Sequence, residues 1–323
     1  MERILSRMGL ICGGMIFLYG CGAIPEFQPR SQTAATTAPS QPDVEPDDPT
    51  APESDDPTKI EAPISEPPPE VICDPLSADS MSSAVSSQNG LQGKLSYLLP
   101  DEPIAQSVFD FWIQNLMTGE YVATRGMDVE LFSSNINVPT RSFDLGFVPM
   151  GPEAEALTTE AGDLLVENFG IHYQSNLILG EAAAGRYEVA TLSDDGSYLR
   201  ISEALSDGGD FILDNDGTHP TRMKCSTQVI ELDESSELPL ELFYHQGPRY
   251  HISLILMWRK LGDDEEAGRD SLCGASGNSL FFDFSQVPSV PKKAYLDLLS
   301  RGWEVIPSSS FLLPNNQMNP CVD

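Results

Sequence analysis

The residues whose type and spacing best suit chemistry are Asp194 and Asp195, neighbours in the stretch Ser193-Asp-Asp-Gly196. Asp and Gly favour turns for conformational reasons, so the pair read alone can be no more than a turn signal. It can equally be half of a hard-cation site, because calcium takes oxygen ligands and carboxylates bring the charge. Glycoside hydrolysis by this pair is excluded. It needs two carboxyl groups roughly 5–10 Å apart on opposite sides of a substrate, and neighbours on one turn cannot straddle anything. The four histidines, His172, His219, His245 and His251, join no catalytic pattern. There is no Gly-x-Ser-x-Gly elbow, no His-Glu-x-x-His helix, no CxxC pair and no Cys/His cluster at zinc spacing. His172 and His251 lie in strand-like runs and read as structural, and His219 follows a tight turn and reads as a hydrogen-bonding residue. The chain reads as a binding protein and not an enzyme.

The elements that must hold Asp194 and Asp195 read as strands. Tyr187, Val189 and Thr191 alternate with Glu188, Ala190 and Leu192, the period of a half-buried strand. Tyr198 and Ile201 follow on the far side, so the acidic turn is expected at the tip of a hairpin. Further strand signals lie at 90–97, 108–117, 141–148, 164–169, 171–179, 228–232, 239–244 and 250–258. A tight turn is expected at Asn215-Asp-Gly217. Glycine or proline punctuates nearly every run, as in a sandwich or barrel. No βα alternation and no glycine-rich phosphate loop is present, which excludes nucleotide-binding folds.

Both ends carry segments that belong to no strand pattern. Residues 1–21 start with Arg3 and Arg7, continue in a short apolar run and end Leu18-Tyr-Gly-Cys21. The run is too short for a comfortable membrane span and has the layout of a secretory signal. Its end resembles the lipobox of bacterial lipoproteins, which implies lipidation of Cys21 and a lipid anchor in the cell envelope, at the outer membrane or cell surface. An ordinary cleaved signal is the alternative. Residues 22–72 are rich in Pro, Asp, Glu, Ser and Thr with little to bury, so they are expected to be a disordered, extended linker. At full stretch such a segment reaches about 150 Å, enough to hold a domain away from its anchor. A net charge of −31 makes nucleic acid a poor partner. Cys73, Cys225, Cys273 and Cys321 are even in number and suit two disulfides. Four cysteines allow three pairings, of which Cys273–Cys321 with Cys73–Cys225 is preferred. Residues 291–302 read as a short helix with proline in its first turn and Gly302 as its stop.

Several motifs follow one another in a familiar order: Gly90-Leu-Gln-Gly, Gly185-Arg-Tyr-Glu-Val, Ser193-Asp-Asp-Gly-Ser-Tyr-Leu, Asp214-Asn-Asp-Gly-Thr-His219, Leu240-Glu-Leu-Phe-Tyr and Leu254-Ile-Leu-Met-Trp258. In this order they resemble the PA14 domain, a β-sandwich of toxins, glycosidases, adhesins and flocculins. The resemblance implies an all-β fold, a PA14-like antiparallel β-sandwich over 73–260, followed by a disulfide-closed extension, 261–323, containing the short helix. It also implies that Asp194 and Asp195 flank a cis peptide and jointly bind calcium, with a second loop, 245–249, closing the shell. The asparagine expected in that loop is missing. Gln246 is the substitute metal ligand, and Gly196, His245 and Gly247 join the two aspartates as ligand-binding residues. The function implied is calcium-dependent carbohydrate binding by an adhesin or envelope lectin. The alternative is a non-catalytic structural or protein-interaction module of the envelope with no sugar ligand.

Overall fold

Strand follows strand because β-branched and aromatic residues alternate with polar ones between glycine- or asparagine-bearing turns. The computed structural model describes residues 69–76, 86–98, 108, 125–145 and 157–322. The signal segment 1–21 with Cys21, the linker up to residue 68 and the strand expected at 108–117 (Val108 apart) lie outside the described residues. In chain order the strands are β1 (Glu70–Cys73), β2 (Leu91–Tyr97), β3 (Arg125–Gly126), β4 (Val129–Ser133) and β5 (Asn137–Ser142). Then come β6 (Phe169–Ile178), β7 (Gly185–Asp194), β8 (Ser197–Ile201), β9 (Phe211–Asn215), β10 (Arg222–Cys225) and β11 (Ile230–Leu232). The two long strands β12 (Glu237–Gln246) and β13 (His251–Lys260) follow, then β14 (Phe282–Asp283), β15 (Val290–Pro291), helix α1 (Lys293–Ser300), β16 (Glu304–Val305) and β17 (Phe311–Leu312).

Two sheets face each other. One has the order β1-β4-β2-β6-β12-β8-β9, with β17 beside β6 and β3 beside β2. The other has the order β10-β7-β13-β16, with β11 beside β7 and β5 beside β13. All pairings in these two sheets are antiparallel except β1 with β4. The fold is therefore the all-β sandwich expected, with one short helix near its end. Between the sheets lie Phe169, Ile171, Leu199, Leu242, Tyr244, Val189, Leu254, Leu256 and Trp258, all buried.

A second apolar cluster sits on the outer face of the β7/β13 sheet. There Ala190, Leu192, Met223, Ile255 and Met257 meet Phe281, Phe282, Tyr295, Leu298 and Trp303 of the extension. This is why the run Ile252–Met257 is apolar at every position except Ser253 and does not alternate: both faces of β13 are covered. The extension is stitched into both sheets, since β16 pairs with β13 and β17 with β6.

Several expectations need correcting. The strand Glu70–Cys73 takes in residues assigned to the linker, because Ile72 is buried and its backbone pairs with β4. No break occurs at Gly170, which sits inside β6 with its backbone paired to Ser96 and His245. The run at 141–148 ends as a strand at Ser142 and turns into a 3₁₀ segment, Phe143–Leu145. The disulfides are Cys73–Cys321 and Cys225–Cys273, so the preferred pairing was wrong. The extension does not close on itself. One bond ties it to the beginning of the fold and the other to β10. Finally, β7 and β8 do not form a hairpin. They lie in different sheets, and the acidic turn carries the chain from one to the other.

Candidate functional site

Three sheet-to-sheet crossings gather at one end of the sandwich. Residues 195–196 link β7 to β8, 216–221 link β9 to β10, and 247–250 link β12 to β13. Register places their flanks together: Ser193 lies opposite Arg222 and Leu254, and Ser197 opposite Asn215 and Tyr244. The aspartate pair stands at the centre of this end, joined by a cis peptide as the resemblance implies.

Asp195 fastens the three crossings together. Its Oδ1 accepts the backbone N–H of His219 at 2.9 Å, and its Oδ2 accepts that of Gly247 at 2.8 Å. Asp194 Oδ2 accepts the backbone N–H of Thr221 at 3.2 Å, and the Thr221 side chain also hydrogen-bonds to this carboxyl group. Asp194 is 4 % and Asp195 3 % exposed. Among the described residues no lysine or arginine is ion-paired with either carboxylate. Burial, with the neighbouring Asp195 charge adding to it, pushes the Asp194 carboxyl up to about 8. Burial pushes Asp195 up to about 6, against the pull of its two backbone donors. Two carboxyl groups have thus been taken out of water side by side, without a cationic side chain among the described residues to balance them.

The glycines here are close-approach residues. A Cβ on Gly196 would stand 2.7 Å from Asp216 Oδ1 and 2.7 Å from the His245 ring. One on Gly247 would stand 2.9 Å from Asp195 Oδ2. Both positions are buried, so Gly196 supports the site by its small size and Gly247 by its donated N–H.

Gln246 and His245 take tasks other than those expected. The Tyr244 hydroxyl lies 2.6 Å from the Asp194 carbonyl oxygen and 2.7 Å from Gln246 Oε1, and its one proton is directed between them. Gln246 Nε2 donates to the His251 carbonyl at 3.0 Å. The amide expected to ligate a metal is therefore spent bracing the end of β12 against the start of β13. His245 is fully buried, its backbone N–H donating to Gly196 O and its Nδ1 3.8 Å from Asp216 Oδ1. Burial and the charge of His219 push its imidazole down to about 3, so it is neutral. It underpins the acidic turn and has no surface to offer a ligand.

His219 hydrogen-bonds as expected, with Nε2 3.0 Å from Asn215 O and Nδ1 3.0 Å from Pro220 O. The Asn215-Asp-Gly217 turn is an Asx turn in which Asp214 Oδ1 accepts the Asp216 N–H. Two features carried no signal in the sequence. Asn278, far along the extension, accepts the Thr221 N–H through Oδ1 at 2.9 Å, so that one N–H is shared with Asp194. Tyr250, next to the Asp195-bound loop, is 72 % exposed and meets Phe143 edge-on, with Arg249 over the Phe143 ring. Only knowledge of the disulfide Cys225–Cys273 could have brought Asn278 near the aspartates. A different cluster, Glu188 with Cys225 and Cys273, has metal-like spacing, but its sulfurs are bonded to each other and its carboxylate is held by Arg259 and the Gly268 N–H.

No family model and no curated protein matches this chain. Among solved structures, the chain is similar to the PA14 domain of the MpAFP antifreeze protein, at 20% identity over 58% of this chain and 89% of that one, with a TM-score of 0.35. It is similar to the PA14 sugar-binding domain of an RTX adhesin, at 20% identity over 55% of this chain and 94% of that one, with a TM-score of 0.34. It is also similar to the A domain of Epithelial Adhesin 9 from Candida glabrata, solved in complex with Galb1-3GlcNAc, at 15% identity over 66% and 99% of the two chains and a TM-score of 0.33.

Proposed function

We propose that Asp194 and Asp195 hold a calcium ion at the end of the sandwich and that a carbohydrate binds there, in an envelope protein tethered through Cys21. The observation that carries this reading is the pair of buried carboxylates with no cationic partner among the described residues. Once ionised, the pair calls for a cation that binds oxygen, and calcium is the hard divalent ion whose flexible shell suits irregular loops. Both carboxylates fit, because the oxygens that accept backbone N–H groups keep a second lone pair. Backbone carbonyls of Gln246 and Gly247 are the further donors expected from the second loop. When bound, the ion supplies positive charge and open coordination positions that sugar hydroxyls can fill.

The chain's own residues do the rest. The N–H groups of His219, Gly247 and Thr221 fix the carboxylates before any ion arrives, so little ordering is left for binding to accomplish. Tyr250 presents an exposed aromatic face, the kind of surface on which the C–H face of a sugar ring packs. Adjacent carboxylates on one crossing cannot straddle a substrate between them, which supports binding without catalysis. The extended linker would then hold the sandwich away from a lipid anchor. A glycan array probed in calcium and again in chelator tests the function. Chelator-sensitive glycan signal is expected, and its absence would sink the lectin reading in favour of a structural or protein-interaction module.

A further inference from the structure

The extension reaches the calcium site along a defined track. Its segment 274–277 runs antiparallel beside β10 at the sheet's edge. The Met223 N–H donates to Ala275 O at 2.9 Å, the Gly274 N–H to Met223 O at 2.7 Å, and the Gly277 N–H to Thr221 O at 2.8 Å. Arg222 and Ser276 form a bridge in the same ladder. The disulfide Cys225–Cys273 pins the start of this track covalently. The next residue beyond it is Asn278.

The orientation of the Asn278 amide follows from its neighbours. The Thr221 N–H can only donate, so it faces Oδ1, at 2.9 Å. On the other side Nδ2 lies 2.7 Å from His251 Nδ1. An imidazole nitrogen that carries no proton accepts from such an amide N–H. Both contacts agree on one orientation. Oδ1 and Asp194 Oδ2 then share a single donor, Thr221, and so stand as immediate neighbours. A carbonyl oxygen that accepts one hydrogen bond keeps a lone pair for a second partner. Asp194, 4 % exposed, is held by both the backbone N–H and the side chain of Thr221. Two carboxylates alone fill only part of a calcium shell, and Gln246, the side chain expected to help, shares no hydrogen-bond donor with either carboxylate among the described residues.

We propose that Asn278 Oδ1 is the third side-chain oxygen of the calcium site, delivered from outside the sandwich by the disulfide-pinned segment 273–278. The inference rests on the reading that Asp194 and Asp195 bind calcium. It makes the extension part of the binding site, and the bond Cys225–Cys273 a positioning device for one of its ligands.

The test is calcium titration by calorimetry, with thermal melts in chelator and in calcium, on the full chain and its variants. Asn278→Ala is expected to weaken calcium binding by roughly tenfold or more and to shrink the calcium-induced rise in melting temperature. Asn278→Asp keeps an acceptor for Thr221 and adds charge, so it is expected to bind calcium more tightly than the native chain. It also serves if the alanine variant fails to fold. A paired Cys225→Ser, Cys273→Ser variant is expected to weaken calcium binding as well. A purely structural Asn278 would lower both melts equally and leave affinity within twofold of native, which overturns the proposal, as does an aspartate variant that binds no more tightly. Asp194→Asn separates the two readings. If native protein binds calcium and Asp194→Asn does not, while both Asn278 variants match native affinity, only the role of Asn278 fails. If the native chain binds no calcium, the aspartate site itself fails.

Discussion

The backbone N–H of Gly247 donates to Asp195 Oδ2 at 2.8 Å, joining two crossings 52 residues apart in the chain. The same carboxylate takes the His219 N–H on its other oxygen, so one side chain ties all three crossings at this end of the sandwich. The proposed site is thus a junction of backbones, and its geometry is sensitive to volume at the glycines.

Gly247→Ala places a methyl 2.9 Å from Asp195 Oδ2 and forces the carboxylate or the loop to move. The expected result is a loss of about 1–3 kcal/mol in stability, typical of overpacking, with a larger relative loss in calcium affinity. Chemical denaturation in chelator and calorimetric titration measure the two effects. Unchanged calcium affinity in a folded variant would separate Gly247 from the site.

The pH dependence has a definite sign. Asp194 and Asp195 are raised to about 8 and about 6 in the folded state, from the ordinary 3.8 of an aspartate in water. Between those limits the folded chain holds more protons than the unfolded one, so stability falls as pH rises. The contribution of these groups is fully present below pH 3.8 and is lost by about pH 8. Calcium binds the ionised pair and should bind more tightly across the same window. Melting temperatures in chelator from pH 4.5 to 8.5 are expected to fall more steeply for the native chain than for Asp194→Asn. Parallel slopes would contradict the assignment.

Peptide mapping without reductant is expected to recover Cys73 joined to Cys321 and Cys225 joined to Cys273. Replacing the pair Cys73 and Cys321 by serine should cost about 2–5 kcal/mol, since that bond closes most of the folded chain into a loop. Recovery of a Cys273–Cys321 peptide would contradict the path of the extension.

The extension covers apolar surface that the sandwich cannot leave bare. Trp303 is 1 % exposed, donates its indole N–H to Asp270 and packs in the outer cluster with Met257 and Ile255. Trp303→Ala is expected to cost about 3–5 kcal/mol, measured by denaturant titration. A chain ending at Lys260 should associate or precipitate, exposing Ala190, Leu192, Ile255 and Met257. A soluble monomer of that length would contradict the account.

Strand identity was legible because its cause is local. Alternation at 239–244 marks a strand whose side chains divide between two environments, and the acidic turn between β7 and β8 stood where expected; β7 itself, expected half-buried, is buried throughout 187–194 because the extension covers its outer face. What failed was pairing, which depends on distant partners. Nothing in Asp194-Asp-Gly196 distinguishes a hairpin tip from a crossing between sheets, since both need the same turn residues. The unbroken apolar run Ile252–Met257, Ser253 apart, did carry a signal for cover on both faces, and that cover is the extension. The roles of Gln246 and His245 were illegible because burial decides them. A glutamine that meets a tyrosine hydroxyl and a backbone carbonyl has the same letter as one that meets a metal. Asn278 was illegible for a similar reason, because the Cys225–Cys273 bond and a backbone ladder with β10 carry it to Asp194, and neither is marked in the sequence around it.

Calcium at Asp194 and Asp195 underlies every role assigned to this end of the sandwich, and calorimetric titration of calcium chloride into the chelator-treated full chain measures it. Saturable binding of one ion is expected in the native chain and none in Asp194→Asn. No saturable binding in the native chain, or the same binding in Asp194→Asn, would contradict it.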